Sequence, residues 1–198
     1  MDSDTGKPSE QNNILYIKNM VCNRCIMVVR DQLLKLGIEP VSVTLGEVTL
    51  KDKLTDASRE EIKNTLEPLG FELIDDKRIQ LIEQIKNTII ELVHYKSNDL
   101  KINLSDYITE KLNHDYSYLS KLFSEINNTT IEKYFIGQKI ERVKELLVYD
   151  ELSLNEIADL LNYSSTAHLS AQFKSVTGFT PSSFKKMKGN RRKPLDQL

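Results

Sequence analysis

Residues 103–184 carry one short helical pattern twice, in register at a spacing of fifty residues. Leu119-Ser120-Lys121-Leu122-Phe123 is answered by Leu169-Ser170-Ala171-Gln172-Phe173, Asn128 by Gly178, Thr130 by Thr180 and Tyr134 by Phe184. Units this short are too small to be separate enzymes. Two helix-turn-helix units in tandem instead suit a molecule reading two adjacent sites on a DNA duplex. Composition permits that reading. With 198 residues, 39% hydrophobic and 28% charged, the chain has room for one large or two small globular domains. No apolar stretch approaches the roughly 18–20 residues of a membrane span. A net charge of −2 does not favour a nucleic-acid binder, yet Lys185-Lys186-Met187-Lys188 and Arg191-Arg192-Lys193 make the last part basic. Met1 to Asn13 is polar, with Gly6 and Pro8, and reads as a disordered leader and not a signal peptide. Residues 188–198 read as a basic tail.

Residues 14–76 alternate between strand and helix signals. Leu15 and Ile17 oppose Tyr16 and Lys18, as in a half-buried strand. Ile26, Val29, Leu33 and Leu36 then recur at helical spacing up to Gly37. Val41, Val43 and Leu45 alternate before Gly46, and Val48 and Leu50 after it, which predicts a hairpin. Ser58-Arg59-Glu60-Glu61 reads as a capping box opening a helix with Ile62, Leu66 and Leu69, and Phe71 and Leu73 form a last strand. The order βαββαβ implies a ferredoxin-like sandwich, so the fold class is an α+β front domain followed by an all-α domain.

From residue 77 to 187 the pattern is helical throughout. Ile79, Ile82, Ile85, Ile89, Leu92 and Val93 stripe a first helix; Ile82, Ile85, Ile89 and Leu92 also fit the seam of a short dimer coil, although packing of such a stripe on its own domain is the commoner case. The first module spans about 103–128, with Asp115 capping its second helix; the second spans about 153–178 and opens on the capping box Ser153-Leu154-Asn155-Glu156. A helix over 131–149 joins them, about 28 Å long at roughly 1.5 Å per residue, against about 34 Å between successive major grooves on one face of DNA. Gly137 inside this rod costs about 1 kcal/mol relative to Ala. Pro181 suits the first turn of a closing helix through Phe184.

The run Leu152 to Ala158, then Tyr163-Ser164, His168-Leu169-Ser170, Gln172-Phe173-Lys174 and Thr177 to Ser182, resembles the second module of the AraC family of bacterial transcription regulators. Ile140 to Leu147 is similar to that family's connecting helix. The resemblance implies a two-module DNA reader with one recognition helix in each major groove. Periodicity turns Leu119, Phe123 and Ile126 inward on the first recognition helix, leaving Tyr116, Ser117, Ser120, Lys121 and Ser124 outward. On the second, Leu169, Phe173 and Val176 turn inward, leaving Thr166, Ala167, Ser170, Ala171 and Lys174 for DNA. Lys121 suits guanine N7 or O6, and the serine hydroxyls suit either donor or acceptor edges. The family usually carries a basic residue at the Ala171 position, so module two is expected to rely more on methyl and phosphate contacts.

Cys22 and Cys25 are the chain's two cysteines, too close together for a disulfide framework and in keeping with a reducing cytosol. Met20-Val21-Cys22-Asn23-Arg24-Cys25, between the first strand and first helix, resembles the heavy-metal-associated domain, although Asn19 stands where that family has Gly. The resemblance implies thiol ligands for Cu(I) or another soft ion, with the helix N-terminus and Arg24 lowering the thiol pKa values. A tetrahedral zinc site would need further ligands or a second chain. Metal sensing, thiol-oxidation sensing and an inert pair all stay open. His114 and His168 read as solvent-facing, and His94 as a complement to a helix dipole.

The whole reads as a cytoplasmic, sequence-specific DNA-binding transcription regulator without catalysis. Its partners are duplex DNA and, as a candidate, RNA polymerase, with no membrane; it acts as a monomer or weak homodimer. No cofactor is required, and Cu(I) or another soft metal ion is the candidate ligand. A metal-binding or trafficking protein, or a thiol-redox protein, with a helical appendage is the alternative; the repeated modules count against both. Only Asp75-Asp76-Lys77 separates the two blocks, so events at Cys22 and Cys25 have a short route to the DNA domain.

Overall fold

The computed structural model describes residues 13–96 and 103–186, so the leader up to Asn12 and the tail from residue 187 lie outside it. The chain divides into two compact units between Glu83 and Gln84. The division falls a few residues beyond the boundary read at 76, inside one helix.

The front unit runs β1 (Ile14–Lys18), α1 (Asn23–Lys35), β2 (Pro40–Thr44), β3 (Glu47–Leu50), α2 (Asp56–Leu66) and β4 (Glu72–Ile74). Its four strands form one antiparallel sheet in the order β2-β3-β1-β4. Leu15 and Ile17 of β1 are buried, as are Val43 and Val48, which face each other across the hairpin, but Val41, read as alternating with Val43, is 66% exposed because the register shifts between Pro40 and Ser42. Val29 and Leu33 of α1 and Ile62 and Leu66 of α2 complete the same core. One helix start differs from the sequence reading. Thr55, not Ser58, caps α2, its hydroxyl accepting from the Ser58 N–H at 3.1 Å. Ser58 is the third residue inside the helix, where its own N–H needs an acceptor.

Helix α3 (Lys77–Ile90) continues into one wide turn, Glu91–Tyr95. Ile82, Ile85, Ile89 and Leu92 are each at most 1% exposed within the single chain. They offer no free seam to a second helix: the stripe packs within the chain, the commoner of its two readings, and the dimer coil falls away. His94 lies in the last turn, as read, and is buried there, with its Nε2 3.1 Å from Gln138 Oε1.

The rear unit continues with α4 (Leu104–Leu112), α5 (Tyr116–Asn127), α6 (Ile131–Tyr149), α7 (Leu154–Leu160), α8 (Thr166–Thr177) and α9 (Pro181–Lys186). Module two closes around Ile140, Val143, Ile157, Ala158, Leu161, Leu169 and Phe173, all essentially inaccessible. Ala158, 1% exposed, is small where α7 packs on α8. No helix of the described residues is long and apolar enough to cross a membrane.

Candidate nucleic-acid interface

The repeat in sequence is a repeat in space, down to its caps. Asn103 and Ser153 open the first helix of each module, accepting from Asp106 N–H at 2.9 Å and Glu156 N–H at 3.3 Å. Asp115 and Ser165 open the recognition helices α5 and α8, each accepting at 3.1 Å from the N–H three residues on. Thr130 and Thr180 open the following helices, both at 3.2 Å. Each such cap stabilises its helix by about 1 kcal/mol. Asn128 and Gly178 end α5 and α8 with left-handed backbone, φ 53° and 79°. Below each recognition helix lies one edge-to-face ring pair: Phe123 with Tyr134 at 5.6 Å and Phe173 with Phe184 at 5.5 Å. The register breaks only at the turn. The left-handed residue is Asn113 in module one but Asn162 in module two, one place earlier.

Of the residues assigned to DNA contact, Ser117, Lys121, Ala167, Ala171 and Lys174 are exposed, and Ser120, Ser124, Thr166 and Ser170 half-exposed. Tyr116 is corrected. Its hydroxyl donates to the Glu132 carboxylate, and burial with that bond raises its phenol above the ordinary range. It therefore ties α5 to α6. The same bond is the main reason the Glu132 carboxyl is held below its usual value. Val176 is also corrected, being 51% exposed. The inward stripe of α8 is spent on Leu169 and Phe173, and the next inward place falls to Thr177, whose hydroxyl donates to the Phe173 carbonyl at 2.7 Å. Neither recognition helix has an acidic residue within its first turn, whereas α4, α6 and α7 all do. The Asp115 carboxylate caps the positive end of α5, whereas the neutral Ser165 hydroxyl caps that of α8.

Tyr118, unassigned in the sequence reading, and His168, read there as solvent-facing, form a further equivalent pair. Both are exposed at the third position of a recognition helix, fifty residues apart, and each lies on a neighbouring ring: Tyr118 at 6.0 Å from His114, His168 at 5.4 Å from Tyr163. The spacing itself was the signal. Polar residues within α6 brace the unit. Fully buried Gln138 accepts at Oε1 from His94 Nε2 at 3.1 Å and donates from Nε2 to Tyr134 Oη at 3.0 Å. Lys144 pairs with buried Glu141, and Arg142 with Glu145 at 2.7 Å. Lys139 lies 3.7 Å over the Tyr163 ring, and burial pushes its ammonium down to about 8.

An open groove of about 650 Å³ runs between α6 and α8, lined by Lys133, Ile136 and Gly137 on one side and His168, Ala171, Gln172, Ser175 and Val176 on the other.

In the front unit, Cys22 and Cys25 are half-buried with their sulfurs 3.3 Å apart at the start of α1. Asn19 takes the left-handed backbone (φ 69°) that a glycine would otherwise supply, and its amide donates to the Gly70 carbonyl at 2.8 Å. Met20 is wholly buried. Burial, aided by the Cys22 contact, pushes the Cys25 thiol up, opposite to the lowering expected from the helix terminus. Among the described residues no group of three or more His, Cys, Asp or Glu side chains converges on a point. The two sulfurs are a donor set of the kind a soft ion takes, and a tetrahedral zinc site would need ligands beyond them.

Residues 108–187 match the family described as Helix-turn-helix domain. The chain is 32% identical over 101 residues to the Msm operon regulatory protein of Streptococcus mutans, covering 50% of this chain and 35% of that protein. It is 28% identical over 98 residues to the Xylose operon regulatory protein of Escherichia coli, covering 49% and 25%. It is 22% identical over 180 residues to the uncharacterized HTH-type transcriptional regulator YtdP of Bacillus subtilis, covering 90% and 23%. The chain thus spans between about a quarter and a third of these relatives' lengths. The helix-turn-helix match falls on the rear part of the chain, and these relatives are named as operon regulatory proteins or as an HTH-type transcriptional regulator.

Proposed function

We propose that this protein regulates transcription by binding duplex DNA, with α5 and α8 entering successive major grooves. The observation that carries the reading is the spatial repeat: two recognition helices, capped alike and locked by equivalent ring pairs, both packed on α6 with Lys121 and Lys174 exposed. The relatives named as operon regulators support it. Selection of bound sequences from random duplexes is the direct test, and recovery of no preferred sequence would end the proposal. On the selected site, Lys121→Ala is expected to weaken binding by about 1–3 kcal/mol, relax preference at one base pair and flatten the salt dependence. Unchanged affinity and preference in a titration at several salt concentrations would remove Lys121 from the interface.

For the front unit the strand order and the βαββαβ sequence support a ferredoxin-like sandwich, and the paired sulfurs support a thiol site of the heavy-metal-associated kind. Cys22 and Cys25 would hold Cu(I) or a related soft ion, and capture there biases DNA affinity through the short connection to α3. Dithiol oxidation is the competing chemistry at the same sulfurs. Metal bound per chain and operator affinity, each measured with and without Cu(I), test this. Wild type is expected to bind the ion and change affinity, and Cys22→Ser/Cys25→Ser to do neither. An equal affinity response in both proteins would exclude the cysteines.

A further inference from the structure

The first turns of α6 have a place of their own between the two recognition helices. Glu132 is held on the α5 side, where its carboxylate accepts from the Tyr116 hydroxyl. Its neighbour Lys133 faces the α8 side, lining the groove with His168, Ala171, Ser175 and Val176. Positions 133, 136 and 137 share one helical face, and at Ile140, fully buried, that face turns into the core. The groove is therefore an opening over the first two turns of the connector, beside the residues of α8 assigned to DNA.

Lys133 differs from the other cations of α6. Arg142 and Lys144 are paired with carboxylates, and Lys139 is stacked over rings. Lys133 is exposed and has no ion-pair partner among the described residues; only its backbone N–H is engaged, by the Thr130 hydroxyl. An unpaired ammonium at the edge of an otherwise largely apolar groove matches a sugar-phosphate chain, whose anionic oxygens need a cation and whose deoxyribose needs apolar surface. Gly137 keeps a side chain out of that groove, which gives a reason for a residue that otherwise only weakens the helix.

We propose that Lys133 binds a backbone phosphate between the two major-groove sites, with the sugar-phosphate chain lying in the groove over Gly137. This rests on α5 and α8 being the DNA-reading helices. The contact fixes register on the duplex and reads no base.

The test is a salt titration of affinity on the selected operator, using the full chain. Lys133→Ala is expected to weaken binding about tenfold, with the same sequence preference and a slope of log affinity against log salt reduced by about 0.9. Lys133→Arg is expected to restore both. Gly137→Leu fills the groove while favouring the helix, so binding falls about tenfold or more without loss of thermal stability. An unchanged slope in Lys133→Ala, an altered base preference, or full affinity in Gly137→Leu would each overturn the assignment. Wild-type protein that binds no duplex would instead defeat the underlying DNA reading, a result distinct from all three.

Discussion

Inserting about five base pairs, half a helical turn, between the two halves of the selected operator is expected to weaken binding by a factor on the order of 10²–10⁴. The reason is the connector. Helix α6 is 19 residues of unbroken helix, about 28 Å at roughly 1.5 Å per residue. Both recognition helices pack on it within one compact unit. Its end is fixed to α5 by the Tyr116–Glu132 bond and to module two by Ile140, Val143 and the Lys139–Tyr163 stack. A half-turn insertion carries the second major groove to the far side of the duplex, where a stiff spacer cannot follow. Inserting a full turn of about ten base pairs brings it back to the near face but at roughly twice the original ~34 Å, so affinity should stay low. A flexible linker would recover with the full turn; this one should not. Equal affinity for the original and half-turn operators, in a direct titration, would mean that only one module reads DNA.

Much of this arrangement was legible because it is written in short-range chemistry. Caps are local, so Asp115, Ser153 and the fifty-residue register could be read from residue types alone. The alternation of β1 and the hairpin at Gly46 follow from period two and a turn residue. What escaped depends on partners distant along the chain. Tyr116 looks outward by periodicity, and only the approach of α6 brings Glu132 to its hydroxyl. His94 looked like the end of a helix, and only the packing of α6 on the following turn buries it against Gln138. Val176 obeys the stripe, yet the helix is ending there and Thr177 takes the inward place. The thiol of Cys25 escaped because opposed effects act on it, and desolvation with the Cys22 contact outweighs the backbone hydrogen bonds at Val21 and Cys22.

The two modules share a frame but not a reading surface. Position 121 offers an ammonium and position 171 only a methyl group, with both exposed. Position 122 is a buried Leu in module one, whereas Gln172 in module two is half-exposed and accepts from the Tyr163 hydroxyl at 2.7 Å. On the proposed DNA reading, specific hydrogen bonds to bases are expected to concentrate in module one, with module two contributing shape, methyl contacts and position.

Phe173→Ala is expected to cost about 3–5 kcal/mol, more than any single DNA contact is worth. Phe173 is wholly buried in the core of module two and meets Phe184 edge to face at 5.5 Å. Truncation removes both the transfer energy of the ring and the pairing, and leaves a cavity between α8 and α9 that neither can fill without breaking its caps at Ser165 and Thr180. The equivalent change, Phe123→Ala, removes the ring that meets Tyr134 and should cost a similar amount. Because α6 is shared by both modules, either change should lower one common helical unfolding transition and not release one module alone. Denaturant unfolding followed by far-ultraviolet circular dichroism checks this. A loss below about 1 kcal/mol for both variants would show that the ring pairs are not what holds the recognition helices in place.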